Sequence, residues 1–174
     1  MLTAPRTQLS TGTWQVDPVH SRVEFAAKQL GISTVRGGFR DFEGTLDLDA
    51  GRVRGSVRAS SVDTSNARRD KHLRSADFLE AEEHAELRFE STEIRPLGEE
   101  AFEIVGGLTI RGVTNPIALR AELQGPETDP WGHEQIALEA VGELNRSDWG
   151  ITYARGLVSD RVRLQLEIAA VQQI

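Results

Sequence analysis

From Arg161 to Ala170 the chain reads RVRLQLEIAA. Val162, Leu164, Leu166, Ile168 and Ala170 share one parity, and Arg163, Gln165 and Glu167 share the other. Successive side chains of a strand point to opposite faces, so this stretch has one dry face and one wet face, as antiparallel sheets do. Working back from it, Ile136, Leu138, Ala140, Gly142 and Leu144 alternate with Ala137, Glu139, Val141 and Glu143. Ile117, Leu119, Ala121 and Leu123 alternate with Ala118, Arg120 and Glu122, and Phe102, Ile104, Gly106, Leu108 and Ile110 fall on one parity. The first half repeats the pattern more loosely, in Val23, Phe25 and Ala27, in Leu46 and Leu48, in Val53, Gly55 and Val57, and in Leu87 and Phe89.

Turn chemistry separates these segments: Asp49-Ala50-Gly51, Pro96-Leu97-Gly98, Asn115-Pro116, and Gly125-Pro126 through Asp129-Pro130-Trp131-Gly132. About eight strands at short intervals predict an all-β fold, an eight-stranded antiparallel barrel or a sandwich. One segment breaks the rhythm. Ser65 to Glu83 has helix formers and no β-branched residue, which predicts a short helical insertion over 67–79. Ser65 or Asn66 is placed to cap it, and Asp70 and Arg74 stand at helical pairing distance.

With 174 residues, 39% of them hydrophobic and 27% charged, the chain is expected to form one domain over 13–174 behind a flexible segment at 1–12. A formal charge of −7 argues against a general nucleic-acid binder, which needs a basic surface. Cysteine is absent, which excludes disulfides, thiolate zinc sites and Cys nucleophiles. The start, MLTAPRTQLSTGTW, has no apolar run of signal-peptide length, and no stretch reaches the apolar length of a membrane span. The expected compartment is the cytoplasm.

A barrel of this size is either filled by its own side chains or holds one ligand. Gly55, Ala59, Gly106, Ala121, Ala140 and Gly142 share parity with the large apolar residues, which leaves volume inside unless the glycines mark bulges or corners. The expected cavity wall is Val23, Phe25, Leu46, Leu48, Val57, Leu87 and Phe89 from the first half of the chain. From the second half it takes Phe102, Ile104, Gly106, Leu108, Ile110, Ile117, Leu119, Ile136, Leu138, Ala140, Leu164 and Leu166, with Trp149 as a candidate gate and Arg146 as its support.

Three polar constellations carry residue types suited to chemistry. Asp17, His20 and Ser21 have the types of a hydrolytic triad, but neighbours on a strand diverge, so a strand-entry turn is the better reading. His20, His72, His84 and His133 are scattered without ligand spacing, so no metal is expected. Arg68, Arg69, Lys71, His72 and Arg74 form a basic cluster in an acidic chain. Arg36 and Arg40 on another loop could join it at a barrel mouth, which makes Arg36, Arg68, Arg69 and His72 the candidates for an anionic head group.

Ordered along the chain stand Asp17-Pro18-Val19-His20-Ser21, Leu30-Gly31-Ile32-Ser33-Thr34-Val35-Arg36-Gly37, and Phe39-Arg40-Asp41-Phe42-Glu43-Gly44. They are followed by Arg69-Asp70-Lys71-His72-Leu73, Leu87-Arg88-Phe89-Glu90-Ser91-Thr92, Gly107-Leu108-Thr109-Ile110-Arg111-Gly112-Val113-Thr114, and Asn145-Arg146-Ser147-Asp148-Trp149-Gly150. As an ordered set at this spacing, from about Trp14 onward, they resemble the YceI-like family. Gln29 and Ala85 depart from it, standing where members commonly have His and Pro. The resemblance implies a lipocalin-like barrel whose apolar interior holds a polyisoprenoid chain, such as a prenyl diphosphate or an isoprenoid quinone. The expected function is therefore binding, storage or transport of that lipid, without catalysis and without a cofactor, by a monomer or a homodimer. The alternatives are an enzyme acting on a lipid head group at the mouth, and a packed barrel serving as an interaction module.

Overall fold

Alternation in the sequence becomes alternation in burial. Ile117, Leu119, Ala121 and Leu123 are buried while Ala118, Arg120, Glu122 and Gln124 between them are exposed. The computed structural model describes residues 12–173, so the expected flexible segment lies, apart from its last residue, outside the described residues. In chain order the strands are β1 (Thr13–Val16), β2 (Arg22–Gln29), β3 (Ser33–Phe39), β4 (Phe42–Asp47), β5 (Arg52–Arg58), β6 (Val62–Asp63), β7 (Glu86–Pro96), β8 (Ala101–Ile110), β9 (Val113–Thr128), β10 (Glu134–Asn145) and β11 (Val158–Gln172). The helix, α1, spans Ala67–Leu73.

Strands β1, β4, β5, β7, β8, β9, β10 and β11 pair in that order, and β1 returns to β11, which closes an eight-stranded antiparallel barrel. Register keeps the apolar parity inward: Ala140 stands opposite Ala121 on one side and Leu166 on the other, and Phe89 stands opposite Leu108. The three further strands arise from one interruption. β1 and β2 both pair with β11, β1 along Ala170 to Gln172 and β2 along Val158 to Glu167. Between them a 3-10 turn at Pro18–His20 breaks the edge, capped by the Asp17 side chain, which accepts the Val19 N–H. Before the turn the edge pairs with β4, and after it with β3, which continues only to the two-residue β6.

Trp14, 2% exposed, is the largest fully buried side chain and stands opposite Leu46 and Gln172. Leu46, Leu123, Ile136 and Ala170 are buried in the same core, with Leu48 and Phe102 packed against it. The cavity inside the barrel does not reach Trp14, Leu48, Phe102, Leu123, Ile136 or Ala170.

The insertion is shorter than the expected 67–79. Asn66 caps α1 by accepting the Arg69 N–H, and the helix ends at Leu73. There Ser75 Oγ donates to the His72 carbonyl, and the chain continues in turns, with Leu79 N–H donating to Leu73 O. Serine in this position offers the backbone an alternative to the next helical turn. The expected Asp70–Arg74 pairing is replaced as well. Asp70 is buried and accepts from both the N–H and the hydroxyl of Thr64, at 2.8 and 2.6 Å, which ties α1 to β6.

Candidate functional site

Inside the ring the inward residues are not equally buried. Ile136, Leu138 and Ala140 on β10, like Ile117, Leu119 and Ala121 on β9, are buried. Val162, Leu164, Leu166 and Ile168, on the same inward parity of β11, remain half-buried. A filled barrel would cover all of them. They face a cavity of about 460 Å³ instead.

Of the expected wall, Val23, Phe25, Leu46, Val57, Leu87, Phe89, Ile104, Leu108, Ile110, Ile117, Leu119, Leu138, Ala140, Leu164 and Leu166 line this cavity. Five do not, and each has a physical reason. Leu48, Phe102 and Ile136 have the right parity but pack within the core, and the cavity stops short of them. Gly106 is roofed by Phe89: a Cβ there would lie 2.6 Å from Phe89 Cζ and 2.4 Å from the Glu90 carbonyl oxygen. Trp149 is no gate. It is 2% exposed and its indole N–H donates to Leu108 O at 2.9 Å, anchoring the 3-10 turn Arg146–Trp149 to β8.

Away from Trp14 the wall changes chemistry. α1 contributes Arg69, His72 and Leu73, the turns after it Phe78 and Leu79, and the loop before β11 Tyr153 and Ala154. The rings of His72, Phe78 and Tyr153 meet edge to face, with centroids 5.1 Å (His72–Phe78), 4.9 Å (His72–Tyr153) and 5.5 Å (Phe78–Tyr153) apart. Asp77 Oδ2 lies 2.8 Å from His72 Nε2 and orients that ring. Two separate segments thus meet through aromatic contacts over the polar end of the cavity, the mouth.

Of the head-group candidates, the structure brings only Arg69 and His72 to the wall. They are one helical turn apart and share a face. Arg69 is already engaged, its Nε donating to Thr64 Oγ1 and Nη2 to Thr64 O, both at 2.8 Å. Arg68 is exposed on α1 and does not reach the cavity wall. Arg36 is exposed on the opposite parity of β3 from Val35, which does line the cavity, so it faces outward. Arg40 pairs with Asp63 instead of joining the cluster.

Arg146, the expected support of the Trp149 loop, also reaches the wall. Arg146 is 5% exposed, and it donates through Nε to Ser159 O (3.0 Å), through Nη1 to Ile151 O (3.2 Å) and through Nη2 to Val158 O (3.1 Å). Burial lowers its pKa, opposed by the nearby Asp160. Its guanidinium is a clamp that fixes the loop carrying Tyr153 onto the start of β11.

The Asp17, His20 and Ser21 trio is structural. His20 Nδ1 lies 2.7 Å from Asp17 Oδ2, an interaction that holds the carboxyl below its ordinary value. Ser21 Oγ donates to the carbonyls of Asp17 and Ala169 and accepts the Ala169 N–H, so it faces no base. Among the described residues no three His, Cys, Asp or Glu side chains come together as a metal site. Among the described residues no helix is long and apolar enough to cross a membrane.

The YceI-like domain model matches residues 14–170, which is nearly all of the described barrel. The chain belongs to the YceI-like family. Protein YceI of Salmonella arizonae is 40% identical over 159 residues, covering 88% of this chain and 83% of that protein. A crystal structure of a YCEI protein from Campylobacter jejuni superposes with a TM-score of 0.73 at 30% identity, covering 84% of this chain and 90% of that one. A polyisoprenoid binding domain from Saccharophagus degradans, implicated in plant cell wall breakdown, superposes with a TM-score of 0.75 at 14% identity, covering 92% and 98%. At that identity the last likeness concerns the fold. YceI-like barrels thus share the closed ring and, in this chain, the ring encloses the apolar cavity described above.

Proposed function

We propose that this YceI-like protein binds a polyisoprenoid lipid inside the barrel, with the chain among the aliphatic walls and the polar head beside Arg69, His72 and Tyr153. The observation that carries this reading is the 460 Å³ cavity with apolar walls and one polar, aromatic end. A domain of similar fold, described as a polyisoprenoid binding domain, supports the ligand class. At roughly 30 Å³ per small group, the volume seats about fifteen carbon-sized groups, or about three isoprene units. Burying them is worth on the order of 10 kcal/mol before the costs of ordering are subtracted, so few polar contacts are needed. A longer chain extends through the mouth.

Organic extraction and mass spectrometry of the protein as purified test this reading. A bound prenyl lipid in near-stoichiometric amount is the expected result. Protein that neither carries nor takes up such a lipid contradicts it, and steady turnover of an added prenyl diphosphate supports the enzyme reading instead.

A further inference from the structure

The β2–β3 turn is Leu30-Gly31-Ile32, and its two aliphatic side chains point into solvent: Leu30 is 62% exposed and Ile32 83%. Leu30 also has φ +56°, a left-handed conformation that Gly or Asn adopts at less cost. Folding therefore gives no reason for leucine at this position. Leu30 N–H donates to Leu157 O at 2.7 Å, which sets a third exposed aliphatic, Leu157, beside the turn. Next to these residues in the chain, Gln29 and Val158 line the cavity, and Tyr153 of the same loop covers its mouth. An exposed apolar rim is thus continuous with the opening of the cavity.

Cations border that rim. Lys28 and Arg155 flank it in sequence, and Arg68 and Lys71 stand on the exposed side of α1, whose other face lines the mouth. Among the described residues Lys28, Arg68 and Lys71 form no ion pair, although the chain carries seven more acidic than basic groups. Exposed aliphatics accompanied by cations, of which Lys28, Arg68 and Lys71 form no ion pair, match the surface of an anionic bilayer, where apolar side chains enter the acyl boundary and lysines meet phosphates.

We propose that this rim docks on an anionic lipid bilayer, with Leu30, Ile32 and Leu157 inserted and Lys28, Arg68, Lys71 and Arg155 on the head groups, so that ligand passes between membrane and cavity without crossing water. The proposal rests on the lipid-binding reading, but its test separates the two. Co-sedimentation is measured with phosphatidylcholine vesicles with and without phosphatidylglycerol, and retention of a prenol delivered from detergent is measured without vesicles. Wild-type protein is expected to sediment with the anionic vesicles, less so as salt rises. The double variant Leu30→Asn/Ile32→Ser is expected to lose roughly tenfold or more in partitioning, with unchanged thermal midpoint and prenol retention. Wild type that ignores anionic vesicles, or a variant that partitions like wild type, overturns the docking. So does a wild-type dimer that the same substitutions dissolve, since the rim then pairs with a second copy. Loss of prenol retention in wild type overturns the lipid-binding reading instead.

Discussion

The ring of Phe89 occupies the space above Gly106 that any other residue at 106 would claim: a Cβ would lie 2.6 Å from Phe89 Cζ and 2.4 Å from the Glu90 carbonyl. Gly55, on the facing parity of β5, has open space beyond its Cα, with only Glu43 O at 3.6 Å. Two glycines on one inward parity therefore play opposite roles, one filled by protein and the other bordering the cavity. Gly106→Ala is expected to destabilise the fold by ~1–3 kcal/mol, because the neighbour that must move is backbone. Gly55→Ala is expected to be neutral or slightly stabilising. Thermal midpoints of the two variants check the contrast, and equal losses would contradict it.

Arg146 leads to a second expectation. Arg146→Met removes the donors to Ser159, Ile151 and Val158 and leaves buried carbonyls unpaired. A loss of roughly 3 kcal/mol is expected, since each orphaned group costs ~1–3 kcal/mol and part of that is regained by water. Amide exchange should rise first over 151–159, the loop that the guanidinium holds. Uniform acceleration along the chain would show that Arg146 has no such local role.

The head-group reading makes a differential claim about Arg69. In Arg69→Ala, affinity for a prenyl diphosphate should fall more than affinity for the corresponding prenol, by about 1.5–3 kcal/mol if the contact is desolvated and less if it is wet. Comparing two ligands on one variant cancels the structural loss of the Thr64 contacts. Calorimetric titration with both ligands decides, and equal weakening removes Arg69 from the head-group site.

Acid should weaken the fold in a defined window. The carboxyls of Asp17 and Asp160 are held below the ordinary value of 3.8, by the His20 ring and by the Ser147 hydroxyl and amide respectively. A group whose folded pKa is depressed contributes stability that is present above its unfolded value and is lost as pH falls through the folded one. The thermal midpoint is therefore expected to hold down to about pH 4 and to fall below it, and Asp160→Asn should shrink that fall. A midpoint independent of pH through this range would contradict the assignment.

Much of the barrel was legible because one face of each long strand is wet. Ile117 to Leu123 and Val162 to Ala170 alternate cleanly for that reason. The strands β1, β3 and β6 were not legible. β1 offers only Trp14 and Val16, and β3 carries Gly37-Gly38, where a Cβ at Gly37 would meet Thr64 Cγ2 at 2.6 Å. Parity assigns a face but not a height along the barrel axis, so Ile136 and Phe102 read like Leu138 and Ile104 although the cavity does not reach them. Helical spacing could have separated Arg69 and His72 from Arg68. The motif around Trp149 marks Arg146 as a support of its loop, but its partners are carbonyls that only the fold brings to it. The ligand class came from the resemblance of the ordered motifs, since alternation alone cannot distinguish a lipid cavity from a packed interior.

Gly55 offers the most direct measurement of the central claim, because its inward side opens onto the cavity with nothing nearer than 3.6 Å. Gly55→Phe places a ring in the ligand's volume, projecting from a Cβ that meets no atom nearer than Glu43 O at 3.6 Å. Delipidated wild-type and Gly55→Phe proteins are titrated calorimetrically with the same prenol, with the thermal midpoint recorded for each. The expected result is saturable binding by wild type and its loss in a variant that remains folded. A folded variant that binds as wild type does would contradict the account, because the lipid would then lie outside the barrel.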